Sequence, residues 1–100
     1  MNEKDFQQTV TDLADSLGIT WVHIPDARTV PSAKGLPDLF LIGTHHCAWR
    51  ELKMPGKKPE GQQVAWKYRL KAAGQNYDVW YPSALDSGQV EKELQSLNRA

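Results

Sequence analysis

The sequence has few of the features that mark secreted or membrane proteins. Its 100 residues include a single cysteine, Cys47, so no disulfide can form within the chain and no cysteine-rich zinc site can be built. No apolar run approaches the roughly 18 residues that a membrane-spanning helix needs, and the polar start lacks the apolar stretch of a signal peptide. We therefore expect a cytoplasmic protein that has no membrane partner.

An excess of charge of one sign is also missing. Twelve Lys and Arg residues balance twelve Asp and Glu residues, so the total charge gives no indication of a nucleic-acid partner. The distribution is uneven, however, because residues 53–71 contain six basic residues and only one acidic residue, Glu60. A local basic patch attracts phosphate backbones by releasing counterions, whatever the charge elsewhere. Taken alone, the pattern favours a solvated loop and helix face over a phosphate-binding patch.

Glycine-rich phosphate loops are absent too. The sequence contains no Walker loop, no dinucleotide-binding glycine pattern and no zinc-ligand spacing. We therefore expect no nucleotide cofactor.

What is present is a regular alternation of helix and strand patterns in one domain, residues 1–100. The order is α-β-β-β-α-β-α, with a loop over 25–37 that contains three prolines. The predicted helices cover 3–17, 60–73 and 84–97, and the predicted strands cover 19–24, 38–42, 47–53 and 77–81. Because a helix connects the third and fourth strands, we expect an α/β fold with a mixed sheet flanked by helices.

The second and third strands form a predicted hairpin that brings charged residues together. If the turn is centred on Thr44 and His45, paired residues have numbers that sum to 89, so Asp38 faces Glu51. Lys53 lies on the same face as Glu51 because side chains alternate along a strand. Two carboxylates and an amine therefore converge at one end of the hairpin.

This convergence has a functional and a structural interpretation. Like charges that face each other destabilise a sheet, and a bound divalent cation such as Mg²⁺ would compensate for them. The alternative is a surface ion-pair cluster with no chemistry. For a carboxylate pair alone, the ion-pair cluster is the commoner case. The apolar run Leu39–Ile42 weakens that interpretation and leaves the two in balance, because it predicts a strand covered on both faces, where uncompensated charge is costly.

The same residues resemble a known nuclease motif. Gly35-Leu-Pro-Asp-Leu-Phe-Leu-Ile-Gly43 followed by Arg50-Glu-Leu-Lys53 is similar to the PD-(D/E)xK pattern. The following helix carries Gln63-Val-Ala-Trp66, with a tryptophan three residues after a glutamine, as in the VRR-NUC family of these nucleases. The opening Glu3-Lys-Asp-Phe-Gln-Gln-Thr-Val10 also fits the first helix of that family, so the resemblance covers nearly the whole chain.

The resemblance implies a fold, a cofactor and a role for individual residues. The implied fold is a restriction-endonuclease-like αβββαβα core. Asp38 and Glu51 would bind Mg²⁺, which Mn²⁺ can replace, with the backbone carbonyl of Leu52 as a further ligand. Lys53 would orient the attacking water, Gln63 would position water or a phosphate, and Glu3 would match an acidic residue of the first helix. The basic residues expected to contact the nucleic-acid backbone are Lys57, Lys58, Lys67, Arg69 and Lys71.

The resemblance also implies an activity. Stand-alone VRR-NUC proteins occur in bacteriophages and bacteria, so we expect a Mg²⁺-dependent DNA endonuclease in a bacterial or phage-infected cell. A chain this short has no separate DNA-binding domain, and we expect a homodimer that cleaves Holliday junctions or other branched DNA, ahead of duplex DNA. The alternatives are a non-catalytic nucleic-acid-binding or assembly module on the same fold, and a sequence-specific restriction enzyme, for which the chain offers little surface for base readout.

Overall fold

The computed structural model describes residues 1–25 and 31–100 of the chain. The elements are α1 (Glu3–Ser16), β1 (Thr20–His23), β2 (Leu39–Ile42), β3 (Cys47–Leu52), α2 (Gln62–Ala72), β4 (Tyr77–Trp80), α3 (Ser83–Asp86) and α4 (Gln89–Ser96), with a 3-10 turn over Pro31–Ala33. The predicted order is confirmed through β4. The loop predicted over 25–37 falls partly on residues 26–30, which lie outside the described residues.

The prediction of one continuous final helix over 84–97 is wrong. The segment forms two helices, α3 and α4, with a break at Gly88, whose φ of 80° lies in the left-handed region. Glycine adopts that conformation without the steric penalty of a Cβ. The break redirects the chain, so that Val90 and Leu94 of α4 are completely buried.

The four strands form one mixed sheet in the order β1-β2-β3-β4, and with the helices they make an α/β fold. The β1–β2 and β2–β3 pairs are antiparallel, and β3 and β4 are parallel, with α2 as the crossover between them. The predicted hairpin register is confirmed, because Leu39 pairs with Arg50 and Ile42 pairs with Cys47. This register sets Asp38, just before β2, level with Glu51 of β3.

One face of the sheet carries the hydrophobic core. Helix α1 contacts β1, β3 and α4 on this face, and α3 packs against α4. The buried core side chains are Phe6, Val10, Ala14, Ile19, Leu39, Leu41, Ala48, Trp80, Ala84, Val90, Leu94 and Leu97. Burial of so many large side chains stabilises the sheet and fixes the positions of the ends of β2 and β3.

The opposite face of the sheet is only partly covered, so the expectation that β2 is buried on both faces is wrong. Phe40 is half-buried, Ile42 is 39% exposed and Val22 on the neighbouring strand is 49% exposed. Helix α2 packs against β4 rather than over β1 and β2. No helix in the described ranges is long and apolar enough to cross a membrane.

Candidate active site

Three chain segments meet at the partly covered face of the sheet. Asp38 precedes β2, Glu51 lies near the end of β3, and Gln63 lies in the first turn of α2. The Gln63 side chain Nε2 donates a hydrogen bond to Glu51 Oε1 at 3.3 Å. Asp38 Oδ2 accepts a hydrogen bond from the backbone N–H of Leu52 at 2.7 Å. The structure thus brings together the three predicted site residues that come from separate segments.

Glu51 is the residue whose surroundings are most unusual. It is only 2% exposed, and no donor among the described residues hydrogen-bonds to its Oε2 atom. A buried acceptor without a donor costs about 1–3 kcal/mol. A proton shared with Asp38, or a metal ion, would relieve this cost.

The pKa of the Glu51 carboxyl is raised accordingly. Burial disfavours the charged form most strongly, and the hydrogen bond and negative charge of the neighbouring Asp38 add to it, which raises the pKa of Glu51 to about 9. The positive charge of Lys53 opposes the shift. At neutral pH and without a cation, Glu51 therefore holds a proton, and the Asp38–Glu51 pair carries at most one negative charge.

The backbone of Leu52 faces the same place. In an extended strand, the N–H and C=O groups of one residue point to the same side. Because the N–H of Leu52 donates to Asp38, the Leu52 carbonyl lies on the Asp38 side of β3. The backbone N–H of Lys53 points to the opposite side of β3, since it donates to the carbonyl of Trp80 in β4.

Gln63 is held in position by the start of α2. Its side-chain Oε1 accepts a hydrogen bond from the backbone N–H of Glu60 at 3.1 Å. The backbone N–H of Gln63 donates to the Glu60 carbonyl at 3.0 Å. With the amide oxygen engaged in this way, the Nε2 group is directed to Glu51. Gln63 thus connects the helix start to the buried carboxyl.

A cavity of about 180 Å³ opens beside these side chains. Its described lining consists of Asp38 and Gln63 together with Ile24, Pro25, Ala33, Gly35 and Leu36. This volume is several times the volume that one water molecule occupies in the liquid, about 30 Å³. The space therefore suits a hydrated cation or a phosphate group next to the carboxylates.

Gly35 is a structural requirement of the site that sequence reasoning missed. Its φ is 90°, and a Cβ at this position would lie 2.6 Å from the backbone carbonyl carbon of Gln62. The segment before β2 thus packs directly against the first turn of α2, where Gln63 lies. A glycine two residues before Pro37 was the only signal in the sequence.

A second missed feature lies on the other face of β3. Arg50 is 3% exposed, and its guanidinium makes an ion pair with Glu93 at 2.9 Å and hydrogen bonds to the carbonyl and side chain of Asn76. It also lies over the ring of Trp80, 5.1 Å from the centroid. This network ties β3 to β4 and α4, and thereby fixes the strand that carries Glu51.

Glu3 and the predicted phosphate contacts lie outside the cluster of Asp38, Glu51 and Gln63. Glu3 is exposed at the first residue of α1, and no hydrogen bond within the described ranges joins it to Asp38, Glu51 or Gln63. Of the predicted phosphate contacts, two lie in the exposed loop before α2 and three lie along α2: Lys57, Lys58, Lys67, Arg69 and Lys71. Three of the predicted phosphate contacts therefore lie on the helix that contributes Gln63, and the other two lie just before it.

The donor set fits a hard divalent cation. The described residues contain no group of three or more His, Cys, Asp or Glu side chains placed to hold a metal. Magnesium, however, is commonly bound by one or two carboxylates, with water and substrate oxygens completing the shell. Asp38, the unpartnered Glu51 Oε2 and the Leu52 carbonyl supply that kind of set.

Comparison of the chain with known protein families, with curated proteins and with solved structures finds no match. The chemistry of the site therefore has to be argued from its own geometry and from the sequence motif.

Proposed function

We propose that the protein is a Mg²⁺-dependent DNA endonuclease of the VRR-NUC type within the PD-(D/E)xK nucleases, with a restriction-endonuclease-like core. The observation that carries the proposal is the buried Glu51 oxygen without a donor, level with Asp38, which together with Gln63 lines a cavity. A structural ion-pair cluster would pair its charged atoms, whereas this arrangement leaves an acceptor unsatisfied at a cost in stability.

Each site residue has a role that follows from its contacts. Asp38, Glu51 and the Leu52 carbonyl would hold the cation, and Asp38 is fixed for this by the Leu52 N–H. Gln63 donates to one oxygen of Glu51, and the other oxygen has no donor among the described residues. When bound, Mg²⁺ would lower the pKa of a water molecule and offset the charge that develops on the phosphate.

Lys53 supplies the positive charge that the reaction needs near the phosphate. Its ammonium acts electrostatically on Glu51. A fixed cation next to an anionic transition state stabilises the charge that develops there, and no covalent intermediate is required. Lys53 would orient the attacking water and stabilise the developing charge.

Removal of the Lys53 charge tests the mechanism. We expect Lys53→Ala to reduce Mg²⁺-dependent cleavage of four-way and flap DNA about 100-fold, the usual effect of removing one electrostatic stabiliser. The measurement is single-turnover cleavage of labelled four-way, flap and linear duplex DNA with Mg²⁺ or EDTA. Lys92→Ala, an exposed lysine on α4, is the matched control and should retain full activity.

The possible outcomes separate the alternatives. Cleavage that survives Lys53→Ala, or that proceeds in EDTA, would contradict the mechanism. Binding of branched DNA without cleavage under any condition would instead indicate the non-catalytic module, and discrete fragments from plasmid DNA would indicate a restriction enzyme. Preference for four-way over linear DNA would support the proposed structure selectivity.

We also propose that the protein acts as a homodimer, and the uncovered part of the sheet supports this. Val22 and Ile42 are exposed on the same face, beside the half-buried Phe40 and Trp49, whose rings lie 4.3 Å apart. None of these four side chains is charged. Exposed apolar surface of this kind is typical of interaction sites, and a two-fold dimer would bury the same patch on both copies.

The dimer has a direct test. We expect the native protein to sediment as a dimer and the double variant Val22→Glu with Ile42→Glu to sediment as a monomer, because two carboxylates in each copy would be buried against like charges. Gln89→Glu on α4 adds charge at an exposed position and should leave the dimer intact. A monomeric native protein, or a double variant that stays dimeric at the same concentration, would rule this interface out.

A further inference from the structure

Helix α2 carries an exposed aromatic side chain among its basic residues. Tyr68 is 64% exposed, and Leu70 is the only buried residue of the helix. The Lys67 ammonium lies 5.8 Å from the centroid of the Tyr68 ring. An exposed tyrosine in the middle of a helix contributes little to the core, so its surroundings indicate what it is available to contact.

The positions around α2 form a path from the site to this tyrosine. At about 100° per residue, Lys67 lies about 40° around the helix from Gln63, Lys71 about 80° and Tyr68 about 140°. Along the helix axis, Lys67 lies about 6 Å, Tyr68 about 7.5 Å and Lys71 about 12 Å from Gln63. Lys67 therefore lies between the residue that contacts Glu51 and the exposed ring, and Lys71 lies just beyond the ring.

This order of groups matches a single nucleic-acid strand. Lysine ammonium groups bind successive phosphates, and an exposed aromatic ring stacks on a base that has no pairing partner. Bases within a duplex are already stacked and paired, so a ring at the side of a helix cannot stack on them without extruding one. The aromatic group thus adds something that the basic residues alone do not, namely a preference for unpaired bases.

We infer that Tyr68 stacks on an unpaired base near the scissile phosphate, with Lys67 and Lys71 on the phosphates to either side of that base, so that the substrate is branched DNA with a single-stranded segment. The inference rests on the proposed nuclease function and makes it more specific. It favours flaps and open junctions over fully paired four-way junctions and linear duplexes.

The experiment measures binding of three DNAs of matched sequence in Mg²⁺-free buffer at one fixed salt concentration: a duplex, a duplex with a single-stranded flap, and a fully paired four-way junction. A 2-aminopurine in the flap reports stacking by fluorescence quenching, and anisotropy gives Kd. We expect Tyr68→Ala to weaken flap binding about 5- to 150-fold and to abolish the quenching. Duplex binding should change less than about twofold, because the phosphate contacts remain.

Two further variants separate stacking from other effects. Tyr68→Leu keeps apolar volume without an aromatic ring and should behave as Tyr68→Ala does, whereas Tyr68→Phe keeps the ring and should restore flap binding and quenching. Equal losses on flap and duplex DNA, or no loss on either, would overturn the inference. The same holds if Tyr68→Ala changes only the oligomeric state in light scattering.

Different experimental results would contradict the stacking inference and the proposed nuclease function. If native protein cleaves DNA with Mg²⁺ and Tyr68→Ala binds the flap as native protein does, the stacking inference fails and the nuclease remains. If flap binding depends on Tyr68 but no DNA is ever cleaved, the nuclease proposal fails and the binding surface remains.

Discussion

Glu51→Gln should abolish cleavage while leaving the fold and DNA binding intact. The substitution keeps the size of the side chain, and its amide oxygen can still accept the hydrogen bond from Gln63 Nε2. It removes the charge that would hold Mg²⁺ together with Asp38. Because a bound metal supplies several kcal/mol of transition-state stabilisation, we expect the cleavage rate to fall about 1,000-fold or more. Single-turnover kinetics with saturating Mg²⁺ measure this loss.

The control for this prediction is Glu91→Gln. Glu91 is exposed on α4, on the side of the molecule away from the site, and the substitution makes the same change in charge. It should cleave at the native rate. A Glu51→Gln protein that still cleaves at more than about one tenth of the native rate would exclude Glu51 as a metal ligand. A variant that loses both cleavage and its circular-dichroism spectrum would identify Glu51 as a folding residue instead.

The site could be predicted from the sequence where strand geometry alone fixes it. The turn at Thr44 and His45 sets the register of the hairpin, and side-chain alternation then brings Asp38 level with Glu51, as the structure confirms. Both steps depend only on local pairing rules. The contact between Gln63 and Glu51, by contrast, depends on how α2 packs. The family resemblance implied only that Gln63 belongs to the site and positions water or a phosphate.

Other parts of the fold could not be predicted because they depend on contacts between distant segments. The burial of Arg50 depends on Glu93 and Asn76, which lie far along the chain and pair with its guanidinium. The break at Gly88 was hidden by a helical pattern that continues on both sides of it. The apolar run of β2 indicated burial on both faces, but Ile42 is 39% exposed. An apolar strand pattern alone does not show how completely each face of the strand is covered.

The surroundings of Glu51 imply that the metal-free protein is less stable than it could be. A buried carboxyl next to another carboxylate opposes folding, and the Arg50 network and the core on the other face compensate for that cost. Functional sites commonly retain such locally unfavourable arrangements, because the ligand that relieves them is also the one that acts. The cost should therefore depend on pH and on Mg²⁺.

In EDTA, we expect the free energy of unfolding to fall as the pH rises from about 4.5 to about 9. The pKa of Glu51 is raised from 4.5 to about 9 in the folded protein, so over this range the native state holds a proton that the unfolded chain has released. Stability decreases with pH wherever the native state binds more protons than the unfolded chain does. The stabilising contribution of protonation is thus fully present below pH 4.5 and is lost as the pH rises towards 9.

Comparison with Glu51→Gln isolates this effect from other titrating groups. Urea unfolding, followed by tryptophan fluorescence at several pH values, should show that the variant gains stability over the native protein progressively as the pH rises from 4.5 towards 9. The native protein should recover stability at pH 8 when Mg²⁺ is added, because the cation displaces the proton and binds the ionised pair, and Glu51→Gln should not. A constant difference between the two proteins at all pH values, or equal stabilisation of both by Mg²⁺, would contradict the interpretation that Glu51 binds a proton when Mg²⁺ is absent.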